Sequence, residues 1–574
     1  MHLASTLTGL AGGSPEDSAK IRLNLMDSRE VYEFGQFILD TGERRLSKRG
    51  YPVALAPKAF DLLAALLRNA GKLTTKHDLL EAVWPESFVE EGILSVHISA
   101  LRKALGSGNI ETVSRSGYRF VGDVTAVRKW SIAVLPSRGE PSQGLAFADA
   151  LIDRLGRYPH AIVRPTRAVH DYRDLDPIEA GRSLRVDFVV NSQLFSEADR
   201  VRVDLIRSCD RVCTLSGEFE RHAADEAAET IATHLGLRAA KQRIPAHRPT
   251  RAEVYEACGR GRAHLLSASM REAPKAVAEF QAAIELDPEY AAAYAGLALA
   301  WCAQASLCSA PPDEAYQGAR SAALRALAMD AACADAQVAL GAVLFLGEWN
   351  WEGARRSFER ALDLNPNHSE AYLLYGQLLE SLGDLETGLA TKLKALERDP
   401  FSPLVHLQIA LSYFYQRRYD ESIEWANKTL ELDPQHLLGR ELLAGAYWKK
   451  GDFDRHMAEN LKHAESYGVP SQVLEPLRQA YAQGGRPGAV RYMLERASSQ
   501  PQSAPAMQLA TLNGEIGDLD EAFRHLDRAI AGHHPALVHL AVAPQWDSLR
   551  ADVRFTECLA RMGLRPAKLA KSAI

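Results

Sequence analysis

The feature that most constrains this chain is a repeat of 34 residues in its C-terminal half. The phrases IELDPEY, LDLNPNH, LERDPFS and LELDPQH recur in register, and Pro366, Pro400 and Pro434 follow one another at this spacing. A repeat of this length accommodates two paired helices, which bury their apolar faces only by stacking on neighbouring repeats. The sequence therefore predicts a helical solenoid over residues 250–535.

The period and the helix pairing are typical of tetratricopeptide repeats. Small residues occupy the positions where the helices of such a stack touch, namely Gly376, Ala395, Ala410, Ser422, Ala444, Ala489, Ala510 and Ala529. The first helix of each pair lines a concave groove. Other residues of these first helices are expected to face a protein partner or a second protomer there, namely Gln377, Glu380, Phe414, Glu441 and Trp448. Alternatively, the aromatic residues fill gaps between repeats. Residues 536–574 are expected to form a capping helix and a tail.

Composition excludes several classes of protein. A chain of 574 residues requires several domains. Its net charge of −6 argues against a polyanion-binding surface over the whole molecule, so any affinity for nucleic acid must be local. Seven scattered cysteines without paired spacing are typical of a reduced, cytoplasmic protein and predict neither a metal site nor another cofactor. The uncharged stretch 291–312 is long enough to span a membrane, but its place inside a repeat predicts a packed solenoid helix.

Residues 1–27 are expected to form a flexible tail before a domain over residues 28–126. Two strand-forming runs, 32–39 and 51–55, precede three helices, and a hairpin over 110–121 closes the domain. On the third helix, one face is apolar at helical spacing and predicts a core stripe of Leu94, Ile98, Leu101 and Leu105. Taken alone, this helix indicates no more than an amphipathic helix with a solvated outer face.

The order of these elements, with the phrases EEGILSVHISALRKALG and TVSRSGYRFVG, resembles the winged helix-turn-helix of the OmpR/PhoB and ToxR type. The resemblance implies that the third helix enters the major groove of DNA and that the hairpin touches the adjacent backbone or minor groove. The DNA-binding residues implied in this way are Val96, His97, Ser99, Ala100, Arg102, Lys103, Arg115 and Arg119. A loop that faces RNA polymerase is also implied, with Trp84, Glu86, Glu90 and Glu91.

This domain departs from the pattern of its relatives in two ways. Ala100 stands where many of them carry a second arginine, so base reading rests on few hydrogen bonds. The net charge of the domain is also close to zero, which is low for a DNA binder that acts alone. Dimerisation or a partner is therefore expected to supply the missing affinity.

Residues 130–240 alternate short apolar strands with helices, which predicts a small α/β module with a mixed sheet. The phrases SIAVLPS, FADALIDRL, RSLRVDFVVNSQL and DRVRVDLI resemble the TolB N-terminal-like domain. The module contains no phosphate loop, nucleophile elbow or metal-ligand spacing. Its role stays open between a spacer and a sensor of a small ligand.

Together, the winged helix, the α/β module and the repeats resemble HilA-like bacterial transcriptional regulators. We therefore expect a multidomain fold, in which an α+β winged helix and an α/β module precede an all-α solenoid. The expected function is sequence-specific transcription regulation, with activation as its sign, promoter DNA and RNA polymerase as partners, and no membrane association or catalysis. One alternative is an interaction scaffold whose winged helix has lost DNA reading. Another is a nucleotide cyclase, for which the sequence contains no catalytic motif.

Overall fold

The computed structural model describes residues 30–567 except 42–43, 49–50, 86–88, 90, 138–140, 196–199, 221–222, 238–251, 267–270, 307–309, 467–473 and 500–505. The predicted N-terminal tail lies outside the described residues. The chain divides into two compact units between Trp130 and Ser131. The α/β module and the solenoid both belong to the second unit.

The first unit combines two antiparallel sheets with three helices. Its strands are β1 (Glu30–Phe34), β2 (Phe37–Asp40), β3 (Arg45–Lys48), β4 (Tyr51–Val53), β5 (Leu73–Thr75), β6 (Ile110–Val113), β7 (Gly117–Phe120) and β8 (Val124–Arg128). Its helices are α1 (Pro57–Arg68), α2 (Lys76–Val83) and α3 (Gly92–Leu105). The larger sheet has the order β4-β3-β2-β1-β8 and the smaller one β5-β7-β6.

The strands before α1 differ from the prediction, which placed two strands where the structure has four. Gly35 adopts a positive φ of 55° and breaks the run 32–39 into β1 and β2. Residues 45–48, which lie between the two predicted runs, pair with β2 as strand β3. Helix α2 begins after Thr75, a residue type that favours helix starts. The Thr75 side chain accepts a hydrogen bond from the Asp78 amide in a capping box.

The α/β module at the start of the second unit is a mixed five-stranded sheet with helices, as predicted. Its strands are β9 (Trp130–Val134), β10 (Ala161–Val163), β11 (Phe188–Phe195), β12 (Arg200–Arg207) and β13 (Cys213–Glu220). Its helices are α4 (Pro141–Gly156), α5 (Thr166–Val169), α6 (Pro177–Ser183) and α7 (Ala224–His234). The order is β10-β9-β11-β12-β13, in which β11 runs parallel to β9 and antiparallel to β12.

The solenoid follows as a stack of paired helices, in agreement with the predicted repeats. These helices are α8 (Ala252–Leu266), α9 (Ala273–Leu286), α10 (Ala291–Ser306), α11 (Pro312–Met329), α12 (Ala334–Ala342), α13 (Trp351–Leu364), α14 (Ser369–Ser381), α15 (Leu385–Arg398), α16 (Pro403–Tyr415), α17 (Tyr419–Leu432), α18 (Leu437–Lys450), α19 (Phe453–Ser466), α20 (Glu475–Ser498, kinked at Gly485), α21 (Ala506–Ile516) and α22 (Leu519–Ala531). All eight small residues predicted at the packing positions are buried. The predicted packing of small residues between the repeat helices is therefore confirmed.

The uncharged stretch 291–312 contributes α10 to the solenoid. Ala295, Ala298 and Ala300 of this helix are buried in clusters shared with neighbouring repeat helices. Among the residues that the structure describes, no helix is both long and apolar enough to cross a bilayer. The prediction of a packed solenoid helix is confirmed.

After α22 the chain turns back into the solenoid. Residues 533–549, here called the inner segment, form two short 3₁₀ turns, Pro535–His539 and Pro544–Trp546. The inner segment shares one apolar core with residues of α16, α18 and α21, three of the first helices that line the groove. Helix α23 (Val553–Arg561) then packs on α22. The last described residues return to α13, where the Trp351 indole donates to the Met562 carbonyl at 2.7 Å.

The α/β module is fixed to the solenoid by polar contacts at the turns between repeats. Asn367 is the centre of this contact, because its amide nitrogen donates to the carbonyls of Gly156 and Ala161, both at 2.9 Å. Its amide oxygen accepts from the Val163 N–H at 3.1 Å. Nearby, the Arg167 guanidinium pairs with the buried Asp399 at 2.5 Å. The module is therefore part of one folded body with the repeats.

Asn367→Ala is expected to loosen this contact. The change removes three hydrogen bonds and leaves buried backbone groups unpaired, at a cost of about 2–4 kcal/mol. Amides of α4 and β10 should then exchange with deuterium roughly 30-fold faster or more, while those of β12 keep their rate. Gln435→Ala, at the exposed equivalent position two repeats later, is the matched control. Unchanged exchange in Asn367→Ala would show that the module does not depend on this residue.

Candidate nucleic-acid interface

Helix α3 presents two faces that differ in burial. Its predicted core stripe is confirmed, because all four residues are buried, namely Leu94, Ile98, Leu101 and Leu105. On the opposite face, Val96 is 67% exposed, and Ser99, Ala100 and Lys103 are also exposed. Short side chains on an outer face allow a helix to approach the base edges in the major groove closely. The geometry of α3 is therefore compatible with insertion into DNA.

The turn between β6 and β7 holds an arginine at its tip. Arg115 is exposed and adopts a positive φ of 61°. The turn is anchored to the start of α2, because the Lys76 N–H donates to the Ser116 carbonyl at 3.3 Å. A Cβ on Gly117 would lie 2.1 Å from the Thr74 carbonyl oxygen, so only glycine permits β7 to pair with β5 at this point. Arg115 is thus presented by a defined backbone.

Two of the predicted phosphate contacts have intramolecular partners. The Arg102 guanidinium donates to the Ile110 carbonyl at 2.8 Å and to the Thr112 hydroxyl at 2.7 Å, which ties α3 to β6. The Arg119 guanidinium lies 3.5 Å from the Glu111 carboxylate across the hairpin. Lys103 and Arg115 are the more exposed cations of the predicted set. Arg102 therefore orients the hairpin relative to the helix.

The predicted polymerase-facing loop requires a correction at Trp84. Its indole is 8% exposed and belongs to the core of the first unit, so it is not presented to a partner. The rings of Trp84 and His97 lie 5.6 Å apart, and the Lys58 ammonium lies 5.6 Å from the indole. His97 is half-buried as a result.

The acidic residues of that loop are described only in part. Glu86 and Glu90 lie outside the described residues. Glu91 is exposed at the start of α3 and pairs with Lys76 at 2.8 Å. The hydrogen bond that Lys76 donates to this carboxylate raises the pKa of Lys76. Glu91 therefore links the start of α2 to the start of α3.

In the groove of the repeats, the prediction that Glu380 faces a partner is wrong. Its side chain is fully buried, with one carboxylate oxygen 2.6 Å from the equally buried Lys392 ammonium. Lys392 also donates to the Gln408 carbonyl at 3.0 Å. Burial raises the pKa of Glu380 and lowers the pKa of Lys392, although each charge opposes the shift of the other. The pair is part of the core.

The prediction for Phe414 is wrong for a different reason. Phe414 is 8% exposed, because its ring packs on Tyr419 at 5.6 Å and belongs to the same core as the inner segment. Trp448 is half-buried and donates to the Glu515 carboxylate at 3.2 Å. Gln377 is half-buried and Glu441 is exposed. The five residues therefore do not form one exposed binding surface.

Sequence reasoning missed the residues that fasten the α/β module to the repeats. One signal was present, because the phrase LDLNPNH places Asn365 before its proline where three other repeats have aspartate. Asn367, two residues later, makes the central contact. Arg262 was also missed; it pairs with Asp149 of α4 at 3.2 Å and with Asp335 of α12. Arg262 and His368 hold the pKa of the partly buried Asp335 below its ordinary value.

Comparison with known proteins agrees with this architecture. Residues 50–120 match the family described as transcriptional regulatory protein, C terminal, and residues 350–403 and 403–436 match tetratricopeptide repeats. The transcriptional regulator HilA of Salmonella typhi is 24% identical over 448 residues, which cover 72% of this chain and 78% of that protein. The phosphate regulon transcriptional regulatory protein PhoB of Pseudomonas aeruginosa is 36% identical over 98 residues, 16% of this chain and 43% of that protein.

Among solved structures, the DNA-binding domain of Escherichia coli CadC is 25% identical, with a TM-score of 0.17; the match covers 17% of this chain and 99% of that domain. The HilA match extends over most of the chain, and the two kinds of family match fall on the first unit and on the solenoid. Over most of its length the chain thus resembles HilA-like bacterial transcriptional regulators, with an OmpR/PhoB-type winged helix followed by tetratricopeptide repeats.

Proposed function

We propose that the chain binds promoter DNA sequence-specifically, with α3 in the major groove and Arg115 on the adjacent backbone. The observation that carries the proposal is the exposed outer face of α3, where Val96, Ser99 and Ala100 lie opposite a fully buried stripe. The family match over residues 50–120 supports the same assignment.

The chemistry of this face favours a particular kind of base reading. Val96 and Ala100 offer methyl groups, which suit contact with the methyl group of thymine, and Ser99 offers one hydroxyl. Arginine, the usual reader of guanine, is missing from the outer face of α3 among the described residues. We therefore propose modest affinity for one protomer and a contribution from a second protomer or a partner.

Binding should depend on salt through a small number of phosphate contacts. Lys103 and Arg115 are exposed, and Arg102 and Arg119 are half-buried. If the half-buried arginines contribute none or both, each protomer makes about two to four phosphate contacts. Affinity for a promoter fragment should then fall roughly 10- to 200-fold between 50 and 200 mM salt. Fluorescence anisotropy of labelled DNA with the full chain measures this slope.

Arg115→Ala should weaken binding to all sequences alike and reduce the slope by about one, because a cation at the hairpin tip meets the backbone. Lys48→Ala, which removes an exposed cation from β3, is the matched control and should change neither quantity. A flat salt response of the parent chain, or no binding to any promoter fragment, would instead favour the scaffold whose winged helix no longer reads DNA.

We further propose that the protein activates transcription through RNA polymerase, with the acidic loop 85–91 as its contact. We also propose that the repeats bind a protein partner on surfaces outside their groove. Glu91 supports the first part, because it is exposed beside α3. A promoter reporter with Glu86→Lys and Glu90→Lys tests it: activation should be lost while DNA binding is kept. Full activation by this variant would reject the polymerase contact.

A further inference from the structure

The inner segment contacts the repeats one after another along the groove. Near its start, the His533 ring stacks on Trp349, with 4.1 Å between the ring centroids. Farther on, the His539 ring nitrogen Nδ1 lies 3.1 Å from the Ser381 hydroxyl at the end of α14. The Val542 carbonyl accepts from Arg417, just after α16, at 2.5 Å. These contacts follow the order of the repeats in the chain.

The far end of the inner segment reaches the last repeat. A Cβ on Gly514 of α21 would lie 2.9 Å from the Ser548 hydroxyl and 3.0 Å from the Leu549 side chain, so glycine makes room for the segment there. The segment therefore runs along the groove from the turn before α13 to α21.

The chemistry of these contacts is that of peptide recognition. Several carbonyls of the segment accept from its own backbone in the two 3₁₀ turns, and other carbonyls have side-chain partners. One of these partners comes from the repeats, where Arg417 donates to the Val542 carbonyl; Arg550, which follows the segment in the same peptide, donates to the carbonyls of Ala541 and Ala543 at 2.7 and 3.0 Å.

The side chains of the inner segment provide the apolar part of this recognition. Eight of its apolar residues are buried to 1% exposure or less, namely Leu537, Val538, Leu540, Ala541, Val542, Ala543, Trp546 and Leu549. Burial lowers the pKa of His539 to about 3, with help from the charge of Lys392, so its ring enters the core uncharged. The segment thus carries no titrating charge at neutral pH into its central contact with α14.

We infer that the groove is a peptide-binding surface whose ligand is the inner segment of the same chain. The groove is specific for an irregular peptide that has small and branched apolar side chains and carbonyl groups free to accept hydrogen bonds. While the segment is in place, the parts of α14, α16, α18 and α21 that it covers are closed to other proteins, so a partner must bind the repeats elsewhere or displace residues 533–549.

The test separates the ligand from its site. A chain that ends at Gly532 is prepared, and a peptide of residues 533–574 is added in trans. The truncated chain should melt several degrees below the full chain, and the peptide should bind it 1:1 and restore most of the melting temperature. A truncated chain that melts like the full chain, or that does not bind the peptide, would overturn the inference.

Peptide variants show whether binding uses the contacts described here. Leu540→Asp and Val542→Asp, each at a buried position, should weaken binding at least about 100-fold. Val553→Asp makes the same kind of change at a position that is 70% exposed and should bind like the parent peptide. Equal affinity of all three variants would also overturn the inference.

If the truncated chain does not fold alone, the two pieces are produced together as separate chains. A soluble complex with the parent piece and with Val553→Asp, but not with Leu540→Asp, supports the inference. Failure of the parent pieces to assemble overturns it, because the segment would then be inseparable from the folding of the repeats.

Discussion

Val96→Glu is expected to abolish DNA binding without changing the melting of the chain. Val96 is 67% exposed on the outer face of α3, so a longer side chain there meets no core atoms. At a DNA surface the new carboxylate is repelled by phosphates and loses water, and affinity should fall at least about 100-fold, or about 2.8 kcal/mol. Anisotropy with promoter DNA and thermal melting by circular dichroism measure the two effects.

Two control variants isolate the effect of the charge. Val96→Gln has nearly the same shape as Val96→Glu and no charge, so its affinity should lie between those of the parent and the glutamate variant. Val553→Glu makes the same change at an exposed position of the second unit and should bind DNA normally. Full DNA binding by Val96→Glu would mean that α3 stays outside the major groove, which contradicts the proposed placement of this helix.

The outer face of α3 was predictable because it depends on local periodicity. Residues three or four positions apart, such as Leu94, Ile98 and Leu101, share a face, and all three are buried. The same periodicity placed Val96 outside. Trp84 was not predictable in this way, because its burial depends on contacts with Lys58 and His97, which come from other helices.

Glu380 and Phe414 were mispredicted because their surroundings are not local. Glu380 was placed in the groove because it lies off the small-residue packing positions of its helix, but its buried partner Lys392 lies on the second helix of the pair. The inner segment, which packs on α16, lies much farther along the chain: Arg417 and its partner Val542 are separated by 125 residues. A helical repeat predicts how neighbouring pairs stack, and it contains no information on a segment that returns from the end of the chain.

Lys392→Met is expected to destabilise the solenoid by about 3–5 kcal/mol, because it leaves the Glu380 carboxylate buried without its cation. The structure makes room for this pair at two glycines. A Cβ on Gly376 would lie 2.6 Å from the Lys392 Cγ, and a Cβ on Gly388 would lie 2.5 Å from the Glu380 Cγ. Denaturant unfolding followed by circular dichroism measures the loss. Lys428→Met, which breaks the more exposed pair with Glu424, is the control and should cost about 0–1 kcal/mol.

The loss should depend on pH in a direction that identifies its cause. Burial already raises the pKa of Glu380, and removal of the Lys392 ammonium raises it further. A group whose pKa is higher in the folded state contributes its stability below the unfolded pKa and loses it as pH rises through the folded pKa. The deficit of Lys392→Met relative to the parent should therefore be larger near pH 8 than near pH 5. An equal deficit at both values would point to lost packing instead.

The double variant Glu380→Leu/Lys392→Met decides between charge and shape. Two apolar side chains of similar volume remove both buried charges, so we expect stability to return to within about 1 kcal/mol of the parent chain. The unpartnered second oxygen of Glu380 supports this expectation, because the parent pair already leaves one buried acceptor without a hydrogen bond. A double variant as unstable as Lys392→Met would mean that the glycine-lined space between α14 and α15 requires the shape of the native pair. Its charge would then contribute little.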